Sequence, residues 1–348
     1  MTLSDMMRGV VLTGHGGPEM LETRDNLPVP SPEPNDVIIR VRAAGVNNTD
    51  INTRTAWYSK GDAEDADATW SGKPLEFPRI QGADVCGEIV TVGADVPTSR
   101  IGERVLIEPC IRFANGVEQT PPWYFGSECD GGFAQYTRVD ARHAHAIKSD
   151  LADIELASFP CSYSTAENML TRANLQAGET VLVTGASGGV GSATVQLARA
   201  RGATVIAITS SAKMDTLMDL GADRTLPRDA DLVAELGRSS IDVVVDLVAG
   251  PAWPRLLDVL RPGGRYAVAG AIGGPLVELD VRTLYLKDLS FFGCTVLEPE
   301  VFSNLIGRIE RSEIKPLVAE VFPLEEIHAA QSAFGEKGHT GKIVLKVG

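Results

Sequence analysis

Glu179-Thr180-Val181-Leu182-Val183-Thr184-Gly185-Ala186-Ser187-Gly188-Gly189-Val190-Gly191-Ser192 is the stretch on which the fold turns. A short run of β-formers enters a cluster of glycines, and Val190 to Arg201 continues at helical period. Strand, glycine turn and helix in that order let the backbone approach a ligand closely. The helix start then offers unpaired N–H groups to a negative charge. Ala186, Ser187, Gly188, Gly189, Val190 and Gly191 therefore read as the seat of a dinucleotide's pyrophosphate. The strict G-x-G-x-x-G spacing is broken, because Ala186 stands where the first glycine would be. A turn made only for packing is the other reading, and the strand–helix context argues against it.

Working outward, Thr204 to Ile208 repeats the strand and Lys213 to Leu220 the helix. Asp242 to Leu247 and Arg265 to Ala269 continue the alternation. Continuous apolar strands separated by helices predict a parallel sheet covered on both faces, doubly wound, in an α/β class. The end of the second strand chooses between nicotinamide cofactors. An NAD site places Asp or Glu about 20 residues past the glycines to hold the ribose 2′-hydroxyl. Here Thr209, Ser210 and Ser211 stand there, with Lys213 beyond. Hydroxyls and a cation suit a 2′-phosphate, so the expected cofactor is NADPH. Lys213 also reads as an ordinary lysine at a helix start.

The first 150 residues differ in rhythm. Val37 to Arg42, Gly87 to Gly93 and Glu103 to Ile107 are short β-rich runs between turns, which predicts a small barrel-like domain. Two stretches, 57–78 and 109–132, read as long loops: functional segments or surface insertions. The first carries Trp57, Tyr58 and Trp70 around Asp62, Glu64, Asp65 and Asp67, and hints at a lid for flat, apolar acceptors. Its acids would discourage anionic acceptors such as acyl-CoA. Gly341 to Val347 is strand-like and is expected to rejoin the first domain.

A length of 348 residues suggests about two domains, at roughly 150 each. Acidic residues outnumber basic ones 46 to 32, for a net charge of −14. That surface repels phosphate backbones and anionic lipid, which argues against nucleic-acid and membrane partners. No apolar run approaches the ~20 residues of a membrane span, and the N-terminus does not read as a signal peptide. Cys86, Cys110, Cys129, Cys161 and Cys294 form no C-x-x-C pair, which fits reduced thiols in a cytoplasm.

Several motifs occur in a fixed order: Ala44 to Asp50, Gly82 to Val90, Asp130 to Tyr136, Thr165-Ala166, the glycine turn, Leu260 to Arg265 and Gly338 to Val344. Through them the chain resembles the medium-chain dehydrogenase/reductase superfamily, in its zinc-free quinone oxidoreductase-like branch. The resemblance implies a GroES-like catalytic domain over 1–155, completed by about 310–348, and a Rossmann domain over 156–309. It implies a cofactor in the cleft between them, touched by Thr165, Gly270, Ala271 and Lys342. It also implies dimers, sometimes tetramers, formed along a Rossmann sheet edge to which Leu289 to Cys294 would contribute.

Alcohol-oxidising relatives hold a catalytic zinc with cysteine, histidine and cysteine. Zinc needs such soft ligands converging with one position open. Here Asn47 and Ala83 stand at the first two positions, Asp84 at a neighbouring acid, and only Cys161 is left. Of the four cysteines of the structural-zinc lobe, 109–132 keeps Cys110 and Cys129. The five histidines read as structural or surface residues. The chain is expected to be metal-free. Without a Lewis acid, simple alcohol oxidation is hard, whereas a quinone or α,β-unsaturated carbonyl needs only hydrogen-bond donors at its developing oxyanion. Asn47 is the leading candidate to orient or polarise substrate. Asp50 braces its loop or takes part in the chemistry. Tyr58 donates a proton or serves as a pocket wall, and Cys161 packs rather than attacks.

The favoured expectation is an NADPH-dependent reductase of quinones or enones. An alcohol dehydrogenase or aldehyde reductase with an atypical zinc site built from Asp50, Asp84 and Cys161 is the second. A non-catalytic NADPH-binding protein is the third.

Overall fold

The computed structural model describes residues 4–59 and 74–348. They form two compact units, Met1–Cys161 with Pro316–Gly348, and Ser162–Lys315. The first unit begins with β1 (Met6–Leu12), β2 (Leu21–Pro28), β3 (Asp36–Val46), β4 (Arg79–Ile80), β5 (Asp84–Val92) and β6 (Arg104–Ile107). It goes on through β7 (Cys110–Ala114), β8 (Val117–Tyr124), β9 (Tyr136–Asp140) and β10 (Ala144–Ala146). The second unit holds β11 (Thr180–Val183), β12 (Thr204–Thr209), β13 (Arg224–Pro227), β14 (Ile241–Asp246), β15 (Leu260–Val268) and β16 (Ser290–Gly293). The chain then returns to the first unit with β17 (Val318–Pro323) and β18 (Lys342–Lys346).

In the first unit the main sheet runs β10-β6-β5-β3-β18-β17, with β9 also on β3. The expected return is present: β18 lies antiparallel to β3, pairing Ile343 with Val46 and Leu345 with Ala44. Ile343, Val344 and Leu345 are fully buried, and each such side chain contributes about 1.5–3 kcal/mol by leaving water. Val37, Ile39 and Val41 of β3 and Val85 and Ile89 of β5 join Ile343 and Leu345 in one core.

Residues 109–132 do not form the long loop expected. β7 and β8 pair as a hairpin, turned by Asn115-Gly116 with both residues at positive φ (53° and 72°). That is the dipeptide that type I′ hairpin turns favour. The hairpin is pinned at its base. His143 Nε2 accepts the backbone N–H groups of Arg112 and Phe113, both at 3.1 Å, which puts the ring proton on Nδ1, 3.4 Å from Glu108 Oε2. Burial alone would raise Glu108, yet the His143 and His145 rings hold its carboxyl down at about 2. Those two histidines are structural here.

In the second unit every strand is parallel and the order is β13-β12-β11-β14-β15-β16. The order leaves β11 in both directions, which makes the β11/β14 crevice the topological switch point where such sheets bind ligands. Val181 to Val183 and Val243 to Val245 are wholly buried, as strands covered on both faces require. β16 is an edge strand, and Phe291 on it is 36% exposed. No helix among the described residues is long and apolar enough to cross a membrane.

Candidate active site and cofactor turn

β3 ends at Val46, and Asn47 caps the helix Asn48–Arg54. Asp50, in that helix's first turn, reaches back so that its carboxylate accepts the Asn47 backbone N–H at 2.7 Å. Opposite them, β5 starts with Asp84 and β18 with Lys342. The Lys342 ammonium, 2% exposed, lies 2.7 Å from the fully buried Asp84 carboxylate and donates to Asn47 Oδ1. Those neighbours dictate the amide orientation, because an ammonium only donates and a carboxylate only accepts. Asn47 Nδ2 therefore donates to Asp84 Oδ2 at 2.9 Å and to the Gly45 carbonyl at 3.3 Å. Asp84 Oδ1 also accepts the Cys161 backbone N–H. Gly45 makes this approach possible: a Cβ there would lie 2.4 Å from Asp84 Oδ2.

Burial pushes the Asp50 carboxyl up to about 7, and the charge of Asp84 adds to the shift. The folded protein then holds a proton that the unfolded chain releases near pH 4. Stability from this group is present below pH ~4 and is lost as pH rises to ~7. Asp50→Asn should flatten that part of a plot of melting temperature against pH. An unaltered slope would remove Asp50 as its source.

Beside this cluster stand two phenols and a thiol. Tyr124, the last residue of β8, is 8% exposed and packs with Ala83 and Cys161. Its hydroxyl is 2.9 Å from Cys161 Sγ, and its backbone N–H donates to Glu128 at 2.9 Å. Burial raises the Tyr124 phenol far above its usual range, and burial lifts the Cys161 thiol to about 12. Tyr58 donates to Thr49 Oγ1 at 3.3 Å, and Cys161 and Asp50 both act on its phenol electrostatically. Trp57 packs edge-on against Tyr58 and is exposed. Trp70, Asp62, Glu64, Asp65 and Asp67 lie outside the described residues.

In the second unit the glycine turn joins β11 to the helix Gly189–Ala200, with Gly188 at its cap. Ala186 is buried and its N–H donates to the Ile208 carbonyl. Gly191 sits so close to the turn that a Cβ would lie 2.3 Å from the Gly185 carbonyl oxygen. Below the turn, the wholly buried Asp246 at the end of β14 accepts the Thr184 and Tyr266 hydroxyls. It also accepts the Val248 and Ala249 N–H groups, so the glycine turn and the loop after β14 share one anchor. Gly270 and Ala271 border that loop: Gly273 N–H donates to the Val248 carbonyl at 2.7 Å. Thr165 lies half-buried on the helix Pro160–Arg172.

At the far end of β12, Thr209 Oγ1 is buried with no hydrogen-bond partner among the described residues. Ser210, Ser211 and Lys213 follow it. Burial lowers the Lys213 ammonium, and the charge of Arg228, just past β13, lowers it further. Two cations thus repel one another near the end of the strand that carries this orphaned hydroxyl. The cradle at Gly191, the helix start and this polar end fit a nicotinamide dinucleotide. Sequence reasoning gave no site role to Arg228, Asp246 or Tyr124; it assigned Lys342 to the cofactor, and the structure sets that ammonium beside Asn47 and Asp84.

Residues 33–149 match the family of alcohol dehydrogenase GroES-like domains, and 189–311 the family of zinc-binding dehydrogenases. An acryloyl-coenzyme A reductase from Metallosphaera sedula is 31% identical over 97% of this chain and 99% of its own. The chain belongs to the medium-chain dehydrogenase/reductase superfamily. Human quinone oxidoreductase is 29% identical over 98% of both chains. A Sinorhizobium meliloti 1021 structure, assigned provisionally to the alcohol dehydrogenases, shares 47% identity and a TM-score of 0.93 over 99% of this chain and 98% of its own. As a medium-chain dehydrogenase/reductase, the protein is an oxidoreductase using a nicotinamide cofactor, with the GroES-like and Rossmann-type folds that the sequence led us to expect.

Proposed function

We propose that this protein reduces a quinone or an α,β-unsaturated carbonyl with NADPH and without a metal. The observation that carries the reading is the Lys342 ammonium, buried against Asp84 and Asn47. A zinc ion bound by Asp84 would meet a fixed positive charge, and Cys161 would have to give up a strongly held proton. The donor set therefore does not fit zinc. When bound, the reduced nicotinamide supplies a hydride. The chain's own part is to hold a flat acceptor and to place hydrogen-bond donors where its oxygen becomes negative. In this reading Asn47 and Asp50 fix the loop at the acceptor, and Tyr58 walls or protonates it.

The test is cofactor oxidation with quinones, enones, a CoA thioester and aldehydes, by chelator-stripped protein and by protein given zinc. Quinone or enone turnover by stripped protein supports the proposal. Activity confined to aldehydes and restored by zinc would favour the alcohol dehydrogenase reading. Tight NADPH binding with no turnover would favour a non-catalytic role. Efficient turnover of the thioester would place the acceptor nearer to that of the acryloyl-coenzyme A reductase.

NADPH is favoured by Thr209, Ser210, Ser211 and Lys213, joined by Arg228. Each cation at a phosphate contributes about 1.5–3 kcal/mol, so Lys213→Ala with Arg228→Ala should erase a preference of about 10²- to 10⁴-fold over NADH. Titration of each cofactor into the variant measures this, and an unaltered ratio would refute the assignment. We also propose a homodimer through β16, whose open edge and exposed Phe291 invite a second strand. Phe291→Arg should convert the dimer to monomer in analytical ultracentrifugation, and an unchanged mass would rule this edge out. Five cysteines with no disulfide between them fit a cytoplasmic setting.

A further inference from the structure

Thr165, expected at the nicotinamide ring, sits on the helix Pro160–Arg172, while the seat for the pyrophosphate opens the helix Gly189–Ala200. Two polar links join these helices. Tyr163 and Glu167 stand four residues apart on one face of the first helix, each 1% exposed. Thr165 lies midway between them in sequence and so is turned toward the other face. From the second helix the buried Gln196 donates through Nε2 to the Tyr163 hydroxyl at 2.9 Å. Arg201, which closes that helix, donates to Glu167 Oε1 at 2.7 Å and to Thr171 Oγ1 at 3.0 Å.

The Gln196 amide is itself held in one orientation. Its Oε1 accepts the Lys315 backbone N–H at 2.8 Å, so Nε2 is the donor, to Tyr163 and to the Lys315 carbonyl at 3.3 Å. Tyr163 donates to the same carbonyl at 2.7 Å. Such a network is stiff, because moving any member leaves buried polar groups unpaired. Two links between two helices fix their mutual orientation, whereas one alone leaves a pivot.

We propose that Gln196 is a positioning residue for the nicotinamide half of the cofactor, acting through Tyr163 and the helix that carries Thr165. With both links made, the face that bears Thr165 is held at a set distance from the glycine turn. Without Gln196, the helix pivots about the Arg201–Glu167 link. The pyrophosphate still finds its seat, but the ring loses a fixed wall. Hydride transfer needs its reacting atoms about 3–3.5 Å apart, so a loosely held ring lowers the fraction of productive complexes. The proposal rests on a nicotinamide cofactor and on the expected place of Thr165. It does not depend on the acceptor, and so stands apart from the enone reading.

The experiment measures by calorimetric titration the affinity for NADPH or NADH, whichever binds, and for the same molecule lacking nicotinamide (2′-phospho-ADP-ribose or ADP-ribose). The ratio of the two affinities is the share owed to the nicotinamide half. Gln196→Met keeps the length of the side chain and loses its three bonds. Tyr163→Phe removes the phenol and spares the bonds between Gln196 and Lys315. The ratio should fall about tenfold in Gln196→Met and a few-fold in Tyr163→Phe, the worth of buried hydrogen bonds, with fragment affinity within about threefold of wild type. An unaltered ratio in Gln196→Met would overturn the proposal. Equal weakening of both ligands would do so too, since Gln196 would then serve the fold alone. A wild type that binds both ligands equally would leave no nicotinamide share to position, and would also overturn it. Should Gln196→Met not fold, the ratio in Tyr163→Phe decides. The expected ratios in a protein that reduces no enone or quinone would sink only the enone reading.

Discussion

Lys342→Met is expected to destabilise the first unit by about 3–5 kcal/mol, because it strands a charge that has nowhere to go. Asp84 is wholly buried, and its carboxylate is answered by the Lys342 ammonium at 2.7 Å. Methionine fills similar volume with no charge, so the loss reports electrostatics rather than a cavity. Asn47 would lose the donor that fixes its amide, and the helix it caps would lose its orientation. Urea unfolding measures the effect. Lys342→Met with Asp84→Asn should recover part of the loss, since the stranded charge is then gone. A single variant within about 1 kcal/mol of wild type would mean that the pair is not ionised as drawn.

Gly191→Ala is expected to weaken binding of the nicotinamide cofactor about a hundredfold, or roughly 2.7 kcal/mol. The added methyl would lie 2.3 Å from the Gly185 carbonyl oxygen and 2.6 Å from Ala186 Cα, both backbone atoms that cannot swing away. The turn must open, and the N–H groups at the start of the helix Gly189–Ala200 then point past the pyrophosphate. Gly188→Ala separates crowding from generic loss of glycine, because its Cβ would meet only the Gly185 oxygen, at an ordinary 3.5 Å. That variant should melt within a few degrees of wild type. Fluorescence titration with NADPH and with NADH reads the Gly191 effect, and affinity within threefold of wild type for the cofactor that binds would show that the turn yields without cost.

The strands that were legible in the sequence are those buried on both faces. Val181 to Val183 and Val243 to Val245 are continuous apolar runs because no side of them meets water. β13 escaped notice because only Leu226 of Arg224 to Pro227 is buried, so it carries no pattern. The β7–β8 hairpin had its signal in Asn115-Gly116, but the weak alternation beside it masked the strands. Asn47 and Asp50 were found through a motif that holds them close in sequence. Lys342 and Asn47 are 295 positions apart, and only the pairing of β18 with β3 brings them together. Asp246 had a local signal, a carboxylate closing an apolar strand, whose meaning appears only once Thr184 and Tyr266 are seen around it.

The pairing of β18 with β3 has a consequence for how the molecule is made. The ribosome delivers Asn47 and Asp84 well before Lys342, with all of Ser162–Lys315 in between. Among the described residues the sheet of that middle segment draws on no strand outside it, so it can form while the first unit waits with Asp84 lacking its partner cation. A ribosome stalled shortly before Lys342 should therefore carry a protease-resistant middle segment and a first unit that is still readily cut.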